Sequence, residues 1–304
     1  MNAAAAIRTE GLTKRYGSIT ALDGLTLQVE VGEVFGFLGP NGAGKSTTLR
    51  LLLGLIRATA GQAWILGEDV RDVQAVHPHL AYVPGDVNLW PKLTGAECLE
   101  VLARFHGAVD VAYRDELVER FELDTAKRAR TYSKGNRQKV SVVAAFATRA
   151  EVLLLDEPTS GLDPLMEAKF RLTVQEASVR GQTVFLSSHI LSEVQRLCAR
   201  VGILRKGQLV EVAPIERLRQ LRRTVLDIDF DGRPPDLGRV PGVLSAEPTP
   251  GGLKVTLSGP PGPLLKALAK AKVMNLRSEE ASLEEIFLGY YDDAATPTPT
   301  STST

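Results

Sequence analysis

A glycine-rich turn set between an apolar strand and a helical run constrains this chain more than any other feature. Gly39-Pro40-Asn41-Gly42-Ala43-Gly44-Lys45-Ser46 fits G-x-x-x-x-G-K-[ST] at every fixed position. The apolar stretch 34–38 precedes it and a helical run over 47–56 follows. Glycines let such a backbone curl until its amides point inward at phosphate oxygens. The helix behind it presents its positive N-terminal end to the same charge. In this setting Lys45 is placed to reach the β- and γ-phosphates. Ser46 is placed to give its hydroxyl to Mg²⁺, and Thr47 to help hold the α-phosphate. The motif implies a nucleoside triphosphate but is shared by GTPases, kinases and many ATPases.

A second apolar strand, Val152-Leu153-Leu154-Leu155, ends in Asp156-Glu157. Parallel sheets bind ligands at the C-terminal edge, where such acids are delivered. Asp156 is a candidate to hold Mg²⁺ directly or through water, and Glu157 to orient and deprotonate an attacking water. A solvated strand end is the alternative for the acids alone. A third strand, 184–187, leads to His189. By position this is either a γ-phosphate contact or a packed or surface histidine. Helix starts are readable at Thr94-Gly95-Ala96-Glu97, a capping box, and at Asp163-Pro164, an N-cap followed by proline.

The 304 residues suffice for one large α/β domain and a small second one. We place the first, a mostly parallel sheet covered by helices, at 7–218. Alternating strands at 225–230 and 253–257, broken by proline and glycine clusters, mark a small α+β domain at 222–291. It should contain a helix over 264–271, a strand over 273–277 and a closing helix from Ser282. The tail 292–304 has nothing apolar to bury and should be disordered. The 36 acidic and 36 basic residues balance, so charge gives no pull toward nucleic acid. Cys98 and Cys198 have no metal-ligand spacing and fit reduced thiols. No run is long enough to span a bilayer and no secretory signal is readable, so the chain should stay in the cytosol and reach a membrane only through a partner.

In order and spacing, six motifs over about 7–215 resemble the nucleotide-binding subunit of an ATP-binding-cassette (ABC) transporter. Tyr16 matches the aromatic that stacks on adenine. The phosphate loop and Asp156-Glu157 match their counterparts. Tyr132-Ser133-Lys134-Gly135-Asn136-Arg137-Gln138, otherwise a basic helix start, matches the signature motif. Ser160-Gly161-Leu162-Asp163 matches the loop at the dimer interface, and His189 the switch histidine. The resemblance implies ATP and Mg²⁺ as ligands. It implies a head-to-tail homodimer in which Ser133 and Gly135 grip ATP on the opposite copy. It also implies a separate polytopic permease on the membrane whose cytoplasmic face the chain would occupy.

Two departures stand out. Tyr132, Lys134 and Asn136 replace the usual leucine, leading glycine and glutamine of the signature, a variant resembling type 2 exporters. After 80–84, where the family has a glutamine touching Mg²⁺ and water, this chain has Gly85 and then Asp86. Asp86 could take over part of that contact if the loop shifts by one residue. Trp90, in the following loop, suits either local packing or docking of a permease helix. The C-terminal segment Ser282-Leu283-Glu284-Glu285-Ile286-Phe287-Leu288 resembles a module of drug- and antibiotic-exporting members. The expected function is therefore ATP-driven efflux of drugs or antibiotics. The alternatives are the ATPase of a lipid or polysaccharide exporter, of an importer, or of a soluble cassette protein.

Overall fold

The computed structural model describes residues 5–220 and 223–279. The chain divides into two compact units between Pro214 and Ile215. The helix Ile215–Gln220 thus falls with the second unit, a few residues earlier than the boundary read from the sequence.

The first unit runs β1 (Ala5–Tyr16), β2 (Ile19–Glu30), β3 (Val34–Leu38), α1 (Lys45–Leu52), β4 (Ala60–Ile65), β5 (Glu68–Asp69), α2 (Val73–Val76) and β6 (Leu80–Val83). It continues through α3 (Gly95–His106), α4 (Val111–Arg120), α5 (Lys134–Ala147), β7 (Val152–Asp156), α6 (Pro164–Val179), β8 (Thr183–Ser188), α7 (Leu191–Leu197), β9 (Arg200–Arg205) and β10 (Gln208–Pro214). Two sheets result. One is antiparallel in the order β2-β1-β4-β5. The other, β10-β9-β3-β8-β7-β6, is parallel except where β10 meets β9.

The central strands β3, β7 and β8 are buried at every residue. Helices cover both faces of a parallel sheet, so these strands read as unbroken apolar runs rather than as alternation. Phe185 stacks on Phe35 with ring centroids 5.7 Å apart and tilts against Phe37 at 5.1 Å. Leu22, Leu25, Leu49 and Leu154 extend the same core. The parallel register sets Leu38 beside Ser188 and Asp156 beside Ser187. Three strand ends therefore open at one edge.

α1 begins at Lys45 and ends at Leu52, earlier at both ends than the helical run expected from 47 to 56. Gly54, with φ 66°, turns the chain where a Cβ would lie 2.7 Å from the Val70 carbonyl oxygen. Cys98 and Cys198 are buried free thiols, and burial pushes both pKa values up.

The α3–α5 region shows how the signature variant is accommodated. The Thr94 hydroxyl accepts from the Glu97 amide at 3.2 Å, and Glu97 Oε2 accepts from the Thr94 amide at 2.7 Å, completing the capping box. Tyr132 is buried and donates its hydroxyl to the Asp124 carbonyl at 2.6 Å. A Cβ on Gly95 would come within 2.1 Å of that hydroxyl oxygen. Tyrosine at 132 therefore requires a bare backbone at 95. Gly95→Ala should cost about 1–3 kcal/mol, the usual range for overpacking. Tyr132→Phe should cost about 1 kcal/mol, one lost hydrogen bond. In the double variant the two costs should combine to less than their sum, measurable by denaturant unfolding.

The second unit is α+β. α8 (Ile215–Gln220) leads to β11 (Arg223–Phe230), β12 (Val243–Thr249), β13 (Gly252–Ser258), α9 (Gly262–Leu268) and β14 (Val273–Glu279). The sheet is antiparallel, in the order β12-β13-β11-β14, over a core that includes Ile228, Val255, Leu257 and Leu264. The sequence reading contained no β12, because Pro248 sits inside it. Proline is tolerated there because β12 is an edge strand. α9 starts two residues before the expected helix and stops at Leu268 rather than 271. The expected helix from Ser282 and the tail 292–304 lie outside the described residues.

Candidate active site

The phosphate loop leaves β3 at Gly39, whose amide donates to the Ser188 carbonyl at 3.2 Å. A Cβ at Gly39 would lie 2.4 Å from the Leu204 carbonyl oxygen. Gly44 is the N-cap of α1 in a left-handed conformation, φ 112°, and makes no side-chain cap. The intrahelical bonds of α1 begin with Thr48, whose amide donates to the Gly44 carbonyl at 2.9 Å. The preceding amides of Lys45, Ser46 and Thr47 belong to the first turn, which has no helical acceptors. Backbone donors at a helix N-terminus are suited to an anion.

Lys45 is only 5% exposed and donates to the carbonyls of Gly39 at 2.7 Å and Pro40 at 3.2 Å. Burial pushes its pKa down, against the opposing pull of Glu157 and Asp156. A buried ammonium with these partners is a charge held ready for a more negative one.

Across the sheet edge, Asp156 Oδ1 accepts from the Ser187 hydroxyl at 2.5 Å. Its other oxygen, Oδ2, lies 3.7 Å from where a Cβ on Gly85 would stand. Glu157 has a left-handed backbone, φ 45°, which is uncommon outside glycine and concentrates at functional sites. The Glu157 amide is fixed to the Ser187 carbonyl at 3.1 Å. Glu157 Oε1 lies 3.5 Å from Lys45 Nζ and 3.2 Å from His189 Nδ1. Lys45, from the loop behind β3, and His189, behind β8, are thus brought onto the carboxylate that follows β7.

Ser133 is exposed and caps α5, accepting from the Asn136 amide at 3.3 Å. Behind it, Gly135 packs against the loop at 160–163. A Cβ there would be 2.4 Å from the Gly161 carbonyl oxygen, and Lys134 Nζ donates to the Ser160 hydroxyl at 2.7 Å. Asp163 caps α6, accepting from the Leu165 and Met166 amides at 3.0 Å. Lys134 and Gly135 are therefore held against the loop at 160–163, which ends in Asp163, while Ser133 beside them is exposed. Tyr16 ends β1 at 47% exposure, with Lys14 Nζ 4.9 Å above its ring. Asp86 is exposed, and it is Gly85 that stands against Asp156.

Sequence reasoning missed Ser187, Ser188, Thr159 and Glu193. Ser187 orients Asp156. Glu193 Oε1 accepts from the Thr159 hydroxyl at 2.6 Å and Oε2 from the Ser188 hydroxyl at 2.5 Å. No spacing rule marks these four, because only the parallel register of β7 and β8 brings them together.

First-turn backbone amides at a helix N-terminus, a buried lysine and a carboxylate beside it are equipped for phosphoryl transfer rather than covalent catalysis. This places the chain among the phosphate-loop nucleoside triphosphatases. The family profile for ABC transporters matches residues 22–160. The bacitracin transport ATP-binding protein BcrA of Bacillus licheniformis is 39% identical over 231 residues, covering 74% of each chain. The daunorubicin resistance ATP-binding protein DrrA3 of Streptomyces coeruleorubidus is 40% identical over 220 residues, covering 70% of each. The chain belongs to the ABC transporter family, as one of its ATP-binding, ATP-hydrolysing subunits. Two solved structures carry the same fold. An ATP-binding subunit of an ABC transporter superposes with TM-score 0.65 at 30% identity, covering 70% of this chain and 92% of that one. The ATP-binding cassette MJ0796, solved as a dimer in a post-hydrolysis state with ADP and Pi, gives 0.63 at 25% identity, covering 69% and 98%.

Proposed function

We propose that this chain is the motor of an ABC exporter, working as a head-to-tail pair of copies on the cytoplasmic face of a membrane beneath a separate polytopic permease. The observation that carries the hydrolytic part is the position of Glu157 Oε1, between Lys45 Nζ and His189 Nδ1. Lys45 and the loop from Gly39 to Thr47 hold the phosphates. Glu157 orients the attacking water and takes its proton. His189 steadies the γ-phosphate, and Tyr16 offers an exposed ring to the adenine.

The donor set fits Mg²⁺. Asp156 is a hard oxygen ligand with one oxygen bonded to Ser187, and Ser46 offers a hydroxyl. Among the described residues no group of three or more His, Cys, Asp or Glu could hold a metal. An ion here would be held by one carboxylate and the substrate's own phosphates. The ion would neutralise charge on the β- and γ-phosphates. Asp86 is exposed, so its contribution to the ion or the water requires the loop to shift. Asp86→Ala should then lower turnover far more than Asn88→Ala. Equal rates would remove Asp86 from the site.

Pairing of two copies is supported by the exposure of Ser133 at the N-terminus of a 14-residue helix, a place suited to a phosphate from another chain. The dimeric MJ0796 cassette is a precedent. Export is supported by the bacitracin transport and daunorubicin resistance names of the relatives, which make antibiotics the first substrates to test. Among the described residues no helix is long and apolar enough to cross a membrane. Trp90, 41% exposed, stacks on Phe105, 78% exposed, at 6.5 Å. Phe105 borders a groove lined by Val73, His77, Tyr82 and Leu102. An aromatic pair beside an apolar groove suits a helix of the permease. Trp90→Ala should leave the ATPase rate of the isolated chain unchanged and abolish its stimulation by the co-purified permease. Unchanged stimulation would remove this docking site.

A further inference from the structure

We propose that Glu193 is a positioning residue for hydrolysis, one carboxylate that locks together the two loops carrying Glu157 and His189. The inference rests on the catalytic reading of that pair. Glu193 sits in the first turn of α7, outside the six motifs of the ABC resemblance. Its two oxygens accept from different strand ends: Oε1 from Thr159, two residues after Glu157, and Oε2 from Ser188, immediately before His189. Thr159 and Ser188 are both buried. The Ser188 hydroxyl oxygen also accepts from the Ile190 amide at 3.0 Å, so the backbone on both sides of His189 is tied to the same carboxylate.

Keeping a carboxylate here is costly. Burial pushes its pKa up, against the two hydroxyl donors; Glu167 adds like charge and His189 opposes it. A group retained at such cost, with both oxygens spent on the loops flanking a catalytic pair, is placed to hold geometry. Bonds of this kind decide whether Glu157 Oε1 and His189 Nδ1 keep their 3.2 Å relation. Misplacement of catalytic groups by about 1 Å costs on the order of 10²-fold in rate.

The test measures kcat, KM and thermal stability for Glu193→Ala, Glu193→Gln, the Thr159→Val/Ser188→Ala double variant, and the triple variant combining the double with Glu193→Ala. Glu157→Gln runs as a reference. Glu193→Ala should lower kcat by about tenfold to a hundredfold with KM almost unmoved. The triple variant should be no slower than the double, because both remove the same two bonds. Glu193→Gln can accept from one hydroxyl and donate to the other, and should recover most of the rate. The inference is overturned if the triple variant's losses simply add, if Glu193→Ala lowers stability without lowering kcat, or if the double variant is as fast as the parent. If Glu193→Ala does not fold, the double and Glu193→Gln still decide. A fully active Glu157→Gln would instead overturn the catalytic reading beneath the inference.

Discussion

Glu157→Gln should lower ATP turnover by about 10²–10⁴-fold, the range for removing a general base, while leaving nucleotide affinity close to the parent. Glutamine preserves shape but cannot take a proton. Lys45 keeps its bonds to the carbonyls of Gly39 and Pro40 without the carboxylate, so the phosphate loop should stand. Binding without hydrolysis should accumulate a closed, ATP-loaded pair of chains, visible by sedimentation as an ATP-dependent doubling of mass. A variant hydrolysing at the parent rate would show that another group activates the water.

Lys45→Met should destabilise the empty protein and also remove most of the stabilisation that ATP adds. In the empty protein it removes an ammonium whose burial is unfavourable, as the downward pKa shift records. It also takes the donor from the Gly39 and Pro40 carbonyls and the counter-charge from Glu157, and removing one partner of a buried pair is destabilising, so thermal stability should fall. With ATP present, the loss of a buried charge partner for the phosphates should weaken binding by roughly 2–5 kcal/mol, about 30-fold or more. The stabilisation that saturating ATP gives the parent, roughly 2.7 kcal/mol at a hundred times Kd, should therefore largely vanish. Thermal shifts with and without nucleotide measure both. Equal ATP-induced shifts in variant and parent would show that the backbone amides alone hold the phosphates.

The sheet-edge part of the candidate site was legible where one strand carried both the apolar signal and the polar residues at its end. β3 and β7 are short, wholly buried, and run directly into Gly39 and Asp156-Glu157. Caps were legible for the same local reason, as Thr94 and Asp163 show. The long hairpin of β1 and β2 was not. Irregularities near Thr9, Leu12 and Lys14 break the alternation that marks a strand. Pro248 hid β12. Pairwise geometry was out of reach as well. His189 could be placed at a strand end, but its 3.2 Å approach to Glu157 depends on the register of β7 against β8. Glu193 carries no motif at all. Tyr132 looked like a departure from the signature. It becomes intelligible only with the Asp124 carbonyl and the space above Gly95.

The composite site is tested most directly by mixing two inert chains. Lys45→Met has a broken phosphate loop and an intact Ser133. Ser133→Arg has an intact phosphate loop and a blocked signature, at an exposed helix cap where the fold loses only about 1 kcal/mol. Each alone should hydrolyse almost no ATP. Mixed, they should regain hydrolysis, because each mixed pair contains one pocket with a working loop from one chain and a working Ser133 from the other. A mixture as inert as its components, or a Ser133→Arg chain as active as the parent, would contradict a pocket shared between two copies.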